Sequence, residues 1–286
     1  MADKIYESVA GFTGEIRRSE VEAAWRKSAP SLEEYDYYLR GHALYFRFTK
    51  EDHLRARQIW QEGLTHFPDS ALLRTKLAMT YVSAVNFGWS TDRQHDLDEG
   101  WRLATQAQAI EPKSRLATYL GHLVMAWLYQ EHEGDFEHSV TEVEAVTQML
   151  ARDPMVLLDL SLLLANAGRT DEAIKWAQEA LRLQPKGPDW SIGVLAWAYY
   201  LAGRPEDALA EFKKVASPWG PNLAAVYARL GRIDEARAVI ADFKKSFPHY
   251  TLNDEATYPA GRHPQLVESL QKAYLEDLRK AGLPQR

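Results

Sequence analysis

The chain has 286 residues, of which 46% are hydrophobic and 26% are charged, and it contains 16 Gly and 13 Pro. These values are those of an ordinary globular protein, and they exclude a disordered or linker-rich chain. The net charge of −6 comes with no basic block, which argues against nucleic-acid binding, and the lack of Cys excludes disulfides, thiolate nucleophiles and Cys-based zinc sites.

The N-terminal residues 1–29 carry charges scattered among a few apolar side chains, so they do not form a signal peptide. We expect a single helix here, the remnant of an upstream domain. The longest apolar run starts at Met155, is interrupted by Asp159, and is shorter than the roughly 18 residues that a membrane span needs. The sequence therefore predicts no membrane insertion and a cytoplasmic location.

A five-residue pattern recurs along the chain and predicts the first helix of successive helix pairs. It consists of Leu or Met, Ala, two variable residues and Tyr, and it reads LAMTY from Leu77, MAWLY from Met125, LAWAY from Leu195 and LAAVY from Leu223. The Ala allows two helices to approach closely, and the Tyr fills the space one turn later.

The second helix of each pair follows a Gly-Arg turn at Gly168, Gly203 and Gly231. An acidic pair comes next, at the positive end of the helix dipole, and apolar residues then recur at i, i+3, i+4 and i+7. Gly168 and Gly203 are 35 positions apart. We place six helix pairs, which start near Leu32, Ser70, Ser114, Met155, Asp189 and Asn222.

These features resemble the tetratricopeptide repeat, a helix-turn-helix unit of about 34 residues with small residues at the helix crossing and a terminal Pro. The resemblance implies an all-α, right-handed superhelical solenoid of about six helix pairs in residues 30–261. A C-terminal capping helix is expected in residues 262–286, where apolar residues recur at helical spacing from Leu266 to Leu278 and would cover the last apolar face.

An insertion in the second pair reads NFGWSTDRQHD, from Asn86 to Asp96. Gly88 frees the backbone, and Phe87 and Trp89 are apolar enough to be buried under the loop. We favour a packed elbow that changes the direction of the chain. The alternative is a recognition loop in which Phe87 and Trp89 contact a ligand.

A closer resemblance covers the stretch from Glu34 to Ser90, together with LRKAGLP from Leu278. Both are similar to the C-terminal repeat region of proteobacterial class III adenylate/guanylate cyclases, and related repeats follow winged-helix transcriptional regulators. A TolB-like domain usually precedes the repeats in both, and its last helix resembles YESVAGFTGEIRRSEVEAAWRK here. The chain has neither a cyclase domain nor a basic recognition helix, so the resemblance implies a bacterial regulatory or interaction module for signalling, without either activity.

The register of the repeat predicts a concave binding groove. With Ala196 as the small residue of the helix crossing, the fifth pair places Trp190, Gly193, Trp197 and Tyr200 on one helical stripe. Two indoles around a glycine would form a slot for an apolar or extended peptide side chain. The other groove positions are Trp127 in the third pair and Tyr37, Arg40, Leu44 and Arg47 in the first. The alternative is that the stripe is core, because helix 189–202 is apolar nearly all round.

The remaining polar candidates are weaker. Arg40 and Arg47 lie two turns apart and would hold a carboxylate or phosphate, unless they form surface charge pairs. His132 and His138 flank acidic residues in a turn between two solvated helix ends, and their spacing matches no metal motif. With no nucleotide-binding or nucleophile motif, we expect no catalytic residue, metal or cofactor.

The favoured hypothesis is therefore a non-catalytic scaffold that binds a partner protein or peptide in its concave groove. The first alternative is a sensor whose small ligand sits in the aromatic slot. The second is an enzyme whose site is assembled by the fold.

Overall fold

A computed structural model describes residues 15–28, 31–47, 49–110, 115–150, 154–185, 187–255 and 272–285. The chain divides into two compact units, Met1–Ala151 and Arg152–Arg286. The fold is all-α, as the sequence predicts, and the described residues include no β-strand. Within the same residues, no helix combines the length and the apolar character that crossing a membrane requires.

The first unit is a series of antiparallel helix pairs. The helices are α1 (Glu15–Arg26), α2 (Glu34–Tyr45), α3 (Lys50–His66), α4 (Ala71–Asn86), α5 (Arg93–Ala109), α6 (Arg115–Leu128), a π-helix (Tyr129–Glu133) and α7 (Phe136–Leu150). Helix α2 packs on α3, α4 on α5, and α6 on α7, and α1 packs on α2.

Small residues set the close approach of α2 and α3. A Cβ atom at Gly41 would lie 2.3 Å from the indole of Trp60, so only glycine fits at this crossing. Trp60 is completely buried. The next helix, α4, is preceded by Ser70, whose hydroxyl accepts a hydrogen bond of 3.0 Å from the Leu73 amide and so caps the first turn.

The second unit repeats the same arrangement. Helix α8 packs on α9, α10 on α11, and α12 on α13, while α15 packs on α12, α13 and α14. The helices are α8 (Pro154–Asn166), α9 (Thr170–Leu183), α10 (Trp190–Leu201), α11 (Pro205–Phe212), α12 (Gly220–Arg229), α13 (Ile233–Ser246), α14 (Leu252–Glu255) and α15 (Lys272–Lys280).

The predicted Gly-Arg turns join the helices of each pair in the second unit. Gly168, Gly203 and Gly231 have φ values of 80°, 71° and 73°, in the left-handed region that glycine adopts without strain. At the middle turn, the Arg204 amide donates a hydrogen bond of 2.9 Å to the Tyr199 carbonyl. Each glycine therefore ends one helix and lets the chain reverse into the next.

The insertion forms an elbow after α4. Gly88 has a φ of 66°, and the amides of Trp89 and Ser90 both donate to the Ala84 carbonyl, at 2.8 and 2.9 Å. The half-buried Trp89 ring lies edge-on to His53, with centroids 5.2 Å apart. Phe87 differs from expectation: its ring contacts Trp89 but is 43% exposed.

The predicted terminal segments are described in part. The N-terminal helix is α1, which the structure describes from Glu15, and residues 1–14, 29 and 30 lie outside the described part. Of the predicted capping segment 262–286, residues 262–271 and 286 also lie outside it. The described remainder is α15 and the turn after it, and it buries Tyr274 and Leu278 against the second unit.

Candidate functional site

Helix α10 carries the predicted aromatic stripe and is buried over most of its surface. Its inward residues are Ser191, Val194, Leu195, Ala196, Ala198, Tyr199, Tyr200 and Leu201. Trp190, Gly193 and Trp197 are half-buried and share one face. Apart from the adjacent residues and the backbone of α10 itself, no described atom lies within 4 Å of the position that a Cβ at Gly193 would take. The face is therefore open beside the glycine and bounded by two indoles.

Three aromatic rings meet at one end of this face. The Trp197 and Tyr200 rings are stacked, with centroids 5.4 Å apart and planes inclined by 14°. Tyr274 of α15 lies edge-on to both, at 5.2 Å from Trp197 and 5.9 Å from Tyr200. Such edge-to-face contacts are favourable because a positive ring edge meets a negative ring face. The predicted stripe is thus contacted by the C-terminal helix of the chain.

A partly buried ion pair, with a buried carboxylate and a half-buried guanidinium, lies beside the three rings. Arg229 of α12 donates to the Asp277 carboxylate of α15 through Nε, at 2.5 Å, and to the Tyr200 hydroxyl through Nη2, at 2.9 Å. The Tyr200 hydroxyl in turn donates to Asp277 at 3.0 Å. Burial, with the nearby Asp277 charge, raises the pKa of Tyr200 far above its usual range, so the phenol stays protonated. The three groups form a closed network that joins α10, α12 and α15.

A second buried carboxyl, Glu255 of α14, contacts the hydroxyl of Tyr274. It accepts hydrogen bonds of 3.0 Å from the hydroxyls of Tyr250 and Tyr274. Burial raises its pKa to about 7. The Tyr274 hydroxyl also lies 3.0 Å from Asn222 Oδ1. The Tyr274 hydroxyl has one proton and can donate to only one of these two oxygen atoms. A protonated Glu255 would donate to the Tyr274 oxygen, and Tyr274 would then donate to Asn222.

Sequence reasoning missed Arg229, Asp277 and Glu255. Asp277 lies three positions after Tyr274, so helical spacing alone places both on one face of α15. Nothing in the sequence pairs Asp277 with Arg229, because 48 positions separate them and only the packing of α15 on α12 brings them together.

The predicted groove residues of the first unit are engaged in contacts of their own. Tyr37 is 2% exposed, and its ring stacks on His66 with centroids 5.9 Å apart. The Arg40 guanidinium donates to the Ala24 and Lys27 carbonyls, at 2.7 to 3.1 Å, and so caps the C-terminal end of α1. These contacts give both side chains a role in packing.

The other predicted residues of the first unit fall in two environments. Arg47 is exposed, and its Nη1 lies 3.6 Å from Asp52 Oδ1, as a surface charge pair. Leu44 and Trp127 are buried, at 3% and 9% exposure. Arg40 and Arg47 thus bind separate partners in the structure.

The segment around His132 and His138 is more ordered than the expected solvated turn. Gln130 and Glu131 in its π-helix are buried. His132 Nε2 lies 2.7 Å from Asp98, and His138 Nδ1 lies 2.5 Å from Asp135. Across the described part of the chain, no group of three or more His, Asp or Glu side chains is arranged to hold a metal ion.

Comparison with known families identifies the helix pairs in the second half of the chain. Sequence profiles of the tetratricopeptide repeat match residues 128–188, 193–213 and 222–242. The chain contains tetratricopeptide repeats. The last two matches fall on the pairs α10 with α11 and α12 with α13, so Gly193, Trp197, Tyr200 and Arg229 lie within recognised repeats, whereas Trp190 and α15 lie outside the matched residues.

Solved structures share the fold at low sequence identity. PilW, a widely conserved type IV pilus biogenesis factor, is 17% identical with a TM-score of 0.53, over 83% of this chain and 96% of its own. A thermophilic tetratricopeptide repeat protein of Thermus thermophilus is 18% identical with a TM-score of 0.51, over 69% of this chain and 99% of its own.

A third similar structure is the Cut9–Hcn1 hetero-tetramer of the APC/C. It is 15% identical with a TM-score of 0.56, and the match covers 98% of this chain and 48% of that one. Such likeness shows the fold alone. Among curated protein sequences, none matches the chain. The tetratricopeptide fold suggests a protein-interaction or scaffold role, and no catalytic family is indicated.

Proposed function

We propose that this chain is a non-catalytic interaction module and that it binds a partner protein through the face of α10 formed by Trp190, Gly193 and Trp197. Tetratricopeptide repeats present the first helix of each pair on their concave surface, and α10 is the first helix of its pair. The binding involves no reaction. The indoles supply apolar contact area, and the glycine leaves room for a partner side chain.

The observation that carries this proposal is the open space at Gly193 between two half-buried indoles. A core helix would bring the atoms of a neighbour against that position, as Trp60 does at Gly41. An indole that becomes fully buried on association contributes on the order of 2 kcal/mol or more to binding, which makes Trp190 and Trp197 the expected anchors.

The partner is best sought among signalling domains. The resemblance of the stretch from Glu34 to Ser90 to the repeat region of class III cyclases supports this assignment. In that arrangement the repeats regulate a domain of the same or another polypeptide, and the groove residues decide which domain is held.

The proposal is tested by filling the space at Gly193. Gly193→Leu places four carbons between the indoles, and it raises helix propensity by about 1 kcal/mol, so α10 should remain stable. The matched control is Gly121→Leu in α6, where a Cβ also meets no described atom within 4 Å. We expect immobilised wild-type chain and the control to capture the same partner from bacterial lysate, and Gly193→Leu to lose it. Equal capture by all three would contradict the proposal.

A further inference from the structure

The C-terminal helix α15 contacts the Trp197 end of the candidate face with one aromatic ring, and it binds the neighbouring Tyr200 and Arg229 with one carboxylate. Tyr274 lies edge-on to Trp197, and Asp277 accepts hydrogen bonds from Tyr200 and Arg229. Both side chains are buried, at 7% and 3% exposure. Because they are three positions apart, they project from the same side of α15. The contact has the composition of a docked helical ligand: an aromatic anchor with a charged group one turn later.

A helix that only covers the end of a repeat array needs apolar side chains. The contacts of Tyr274 and Asp277 are more specific than that. Leu278, Ala281 and Leu283 are at most 2% exposed and supply the apolar cover. A buried ion pair adds little stability over apolar side chains of similar size, because both charges lose their hydration. It contributes selectivity instead, since an apolar side chain at position 277 would leave the guanidinium of Arg229 without its carboxylate.

The side chains that α15 contacts suit one kind of ligand. Trp197 and Tyr200 offer ring faces, and Arg229 offers an Nε donor aimed at a carboxylate oxygen. The Arg229 guanidinium also lies 5.0 Å from the Tyr200 ring centroid, which fixes its position. An aromatic side chain and an acidic side chain on one helical turn fit these groups together.

We propose that α15 is an intramolecular ligand of the α10 face, and that the partner is an amphipathic helix carrying an aromatic residue and, three positions later, an acidic residue. That helix competes with α15 for Trp197, Tyr200 and Arg229. This inference rests on the proposed function, because it names the partner of the same face. The chain thereby occupies the Trp197 end of its own site, next to the open space at Gly193, until a helix of matching pattern displaces α15.

The test uses the full chain with α15 weakened and a probe peptide added in trans. Tyr274→Ala with Asp277→Ala removes both contacting groups from α15 and leaves the α10 face intact. The control is Glu276→Ala with Arg279→Ala, which breaks an ion pair on the exposed side of the same helix. The probe is a fluorescein-labelled peptide of residues 272–285, and fluorescence anisotropy measures its binding.

We expect the opened variant, Tyr274→Ala with Asp277→Ala, to bind the probe at least about tenfold more tightly than the wild type and the control. In those two chains the tethered α15 competes with the probe at an effective concentration of roughly millimolar. A probe peptide with the same two alanine changes should lose this binding. Equal binding of the probe by all three chains, or binding that ignores the two changes in the peptide, would overturn the inference.

If circular dichroism shows that the opened variant unfolds, the inference is tested by hydrogen exchange on the wild-type chain. Excess unlabelled probe should accelerate hydrogen exchange of the chain's α15 amides several-fold, while the amides of α8 stay protected. Unchanged α15 exchange would overturn the inference. The two proposals fail separately: capture of a partner that depends on Gly193 but ignores the opening of α15 would leave the proposed function intact and refute the helical ligand.

Discussion

Tyr274 of the C-terminal helix lies edge-on to Trp197 of α10, with ring centroids 5.2 Å apart and planes inclined by 74°. The contact joins the last described helix to the aromatic stripe of a tetratricopeptide repeat. The same residue reaches the buried carboxyl of Glu255 through its hydroxyl, at 3.0 Å. One side chain of α15 therefore joins α10 to α14.

The Arg229–Asp277 pair can be tested by removing only the cation. Arg229→Met keeps much of the side-chain volume and leaves the Asp277 carboxylate buried without its main partner. We expect a loss of about 3 kcal/mol in the free energy of unfolding, measured by urea denaturation. Arg279→Met is the control, since its partner Glu276 is exposed and such pairs contribute roughly 0 to 1 kcal/mol. Similar losses for both variants would show that the buried pair is not a special contact.

Glu255 predicts a pH dependence of stability. Burial raises the pKa of Glu255 to about 7, above its ordinary value of 4.5. The folded state therefore binds the proton more tightly than the unfolded state. The stabilisation is complete below pH 4.5 and is lost as the pH rises through about 7.

The matched variant for this carboxyl is Glu255→Gln, which keeps a neutral group that hydrogen-bonds to Tyr250 and Tyr274. Between pH 5 and pH 8 we expect the wild type to lose roughly 2 to 3 kcal/mol relative to Glu255→Gln. Denaturation midpoints at the two pH values measure the difference. Parallel pH profiles for the two proteins would refute the assignment.

In the first unit, His53 should give stability the opposite dependence on pH. Burial, together with the charges of Arg57 and Lys76, lowers the pKa of His53 to about 4, although a hydrogen bond of 2.8 Å from Nε2 to the Thr80 carbonyl acts in the opposite direction. A lowered His pKa means that the stabilisation is present above pH 6.5 and is lost as the pH falls through about 4. NMR titration of the imidazole resonances should give a midpoint near 4 for His53.

His132 provides the internal comparison for that titration. Burial lowers the pKa of His132, but its hydrogen bonds to Asp98 and Glu133 outweigh burial, so the pKa is raised above 6.5. The two imidazoles should titrate on opposite sides of pH 6.5. Coincident midpoints would show that His53 is not buried against Thr80 in solution.

Replacing two of the glycines by alanine should change the stability of the chain in opposite directions. Gly88 has a positive φ at the elbow, so Gly88→Ala should cost roughly 1 to 2 kcal/mol although space for a methyl group is available. Gly193 is in the regular part of α10, and Gly193→Ala should stabilise the chain by up to about 1 kcal/mol. Thermal unfolding of both variants measures the two signs. A stabilised Gly88→Ala chain would contradict the elbow geometry.

Local signals account for what the sequence predicted correctly. The Gly-Arg turns, the acidic first turns and the small residue at each helix crossing are short-range features, and the helix pairs of the second unit start near the predicted Met155, Asp189 and Asn222. Trp89 packs at the elbow as expected, since the backbone reversal depends on the neighbouring Gly88.

The site could be predicted only in part, because its other half comes from distant chain segments. Helical spacing grouped Trp190, Gly193 and Trp197 on one face, but the contacts of Tyr274 with α10 depend on how α15 packs. Phe87 shows the reverse difficulty. An apolar residue in a loop suggests burial, yet Phe87 is 43% exposed although its ring contacts Trp89.

The most direct test of the central claim is site-specific photo-cross-linking from the α10 face in living cells. Trp190 is replaced by p-benzoylphenylalanine, and Trp176 of α9, another half-buried indole of the same unit, receives the same replacement as the control. The account predicts a discrete cross-linked partner from position 190 that is absent from position 176. A partner cross-linked only from position 176, or from both positions equally, would contradict the claim that this face binds the partner.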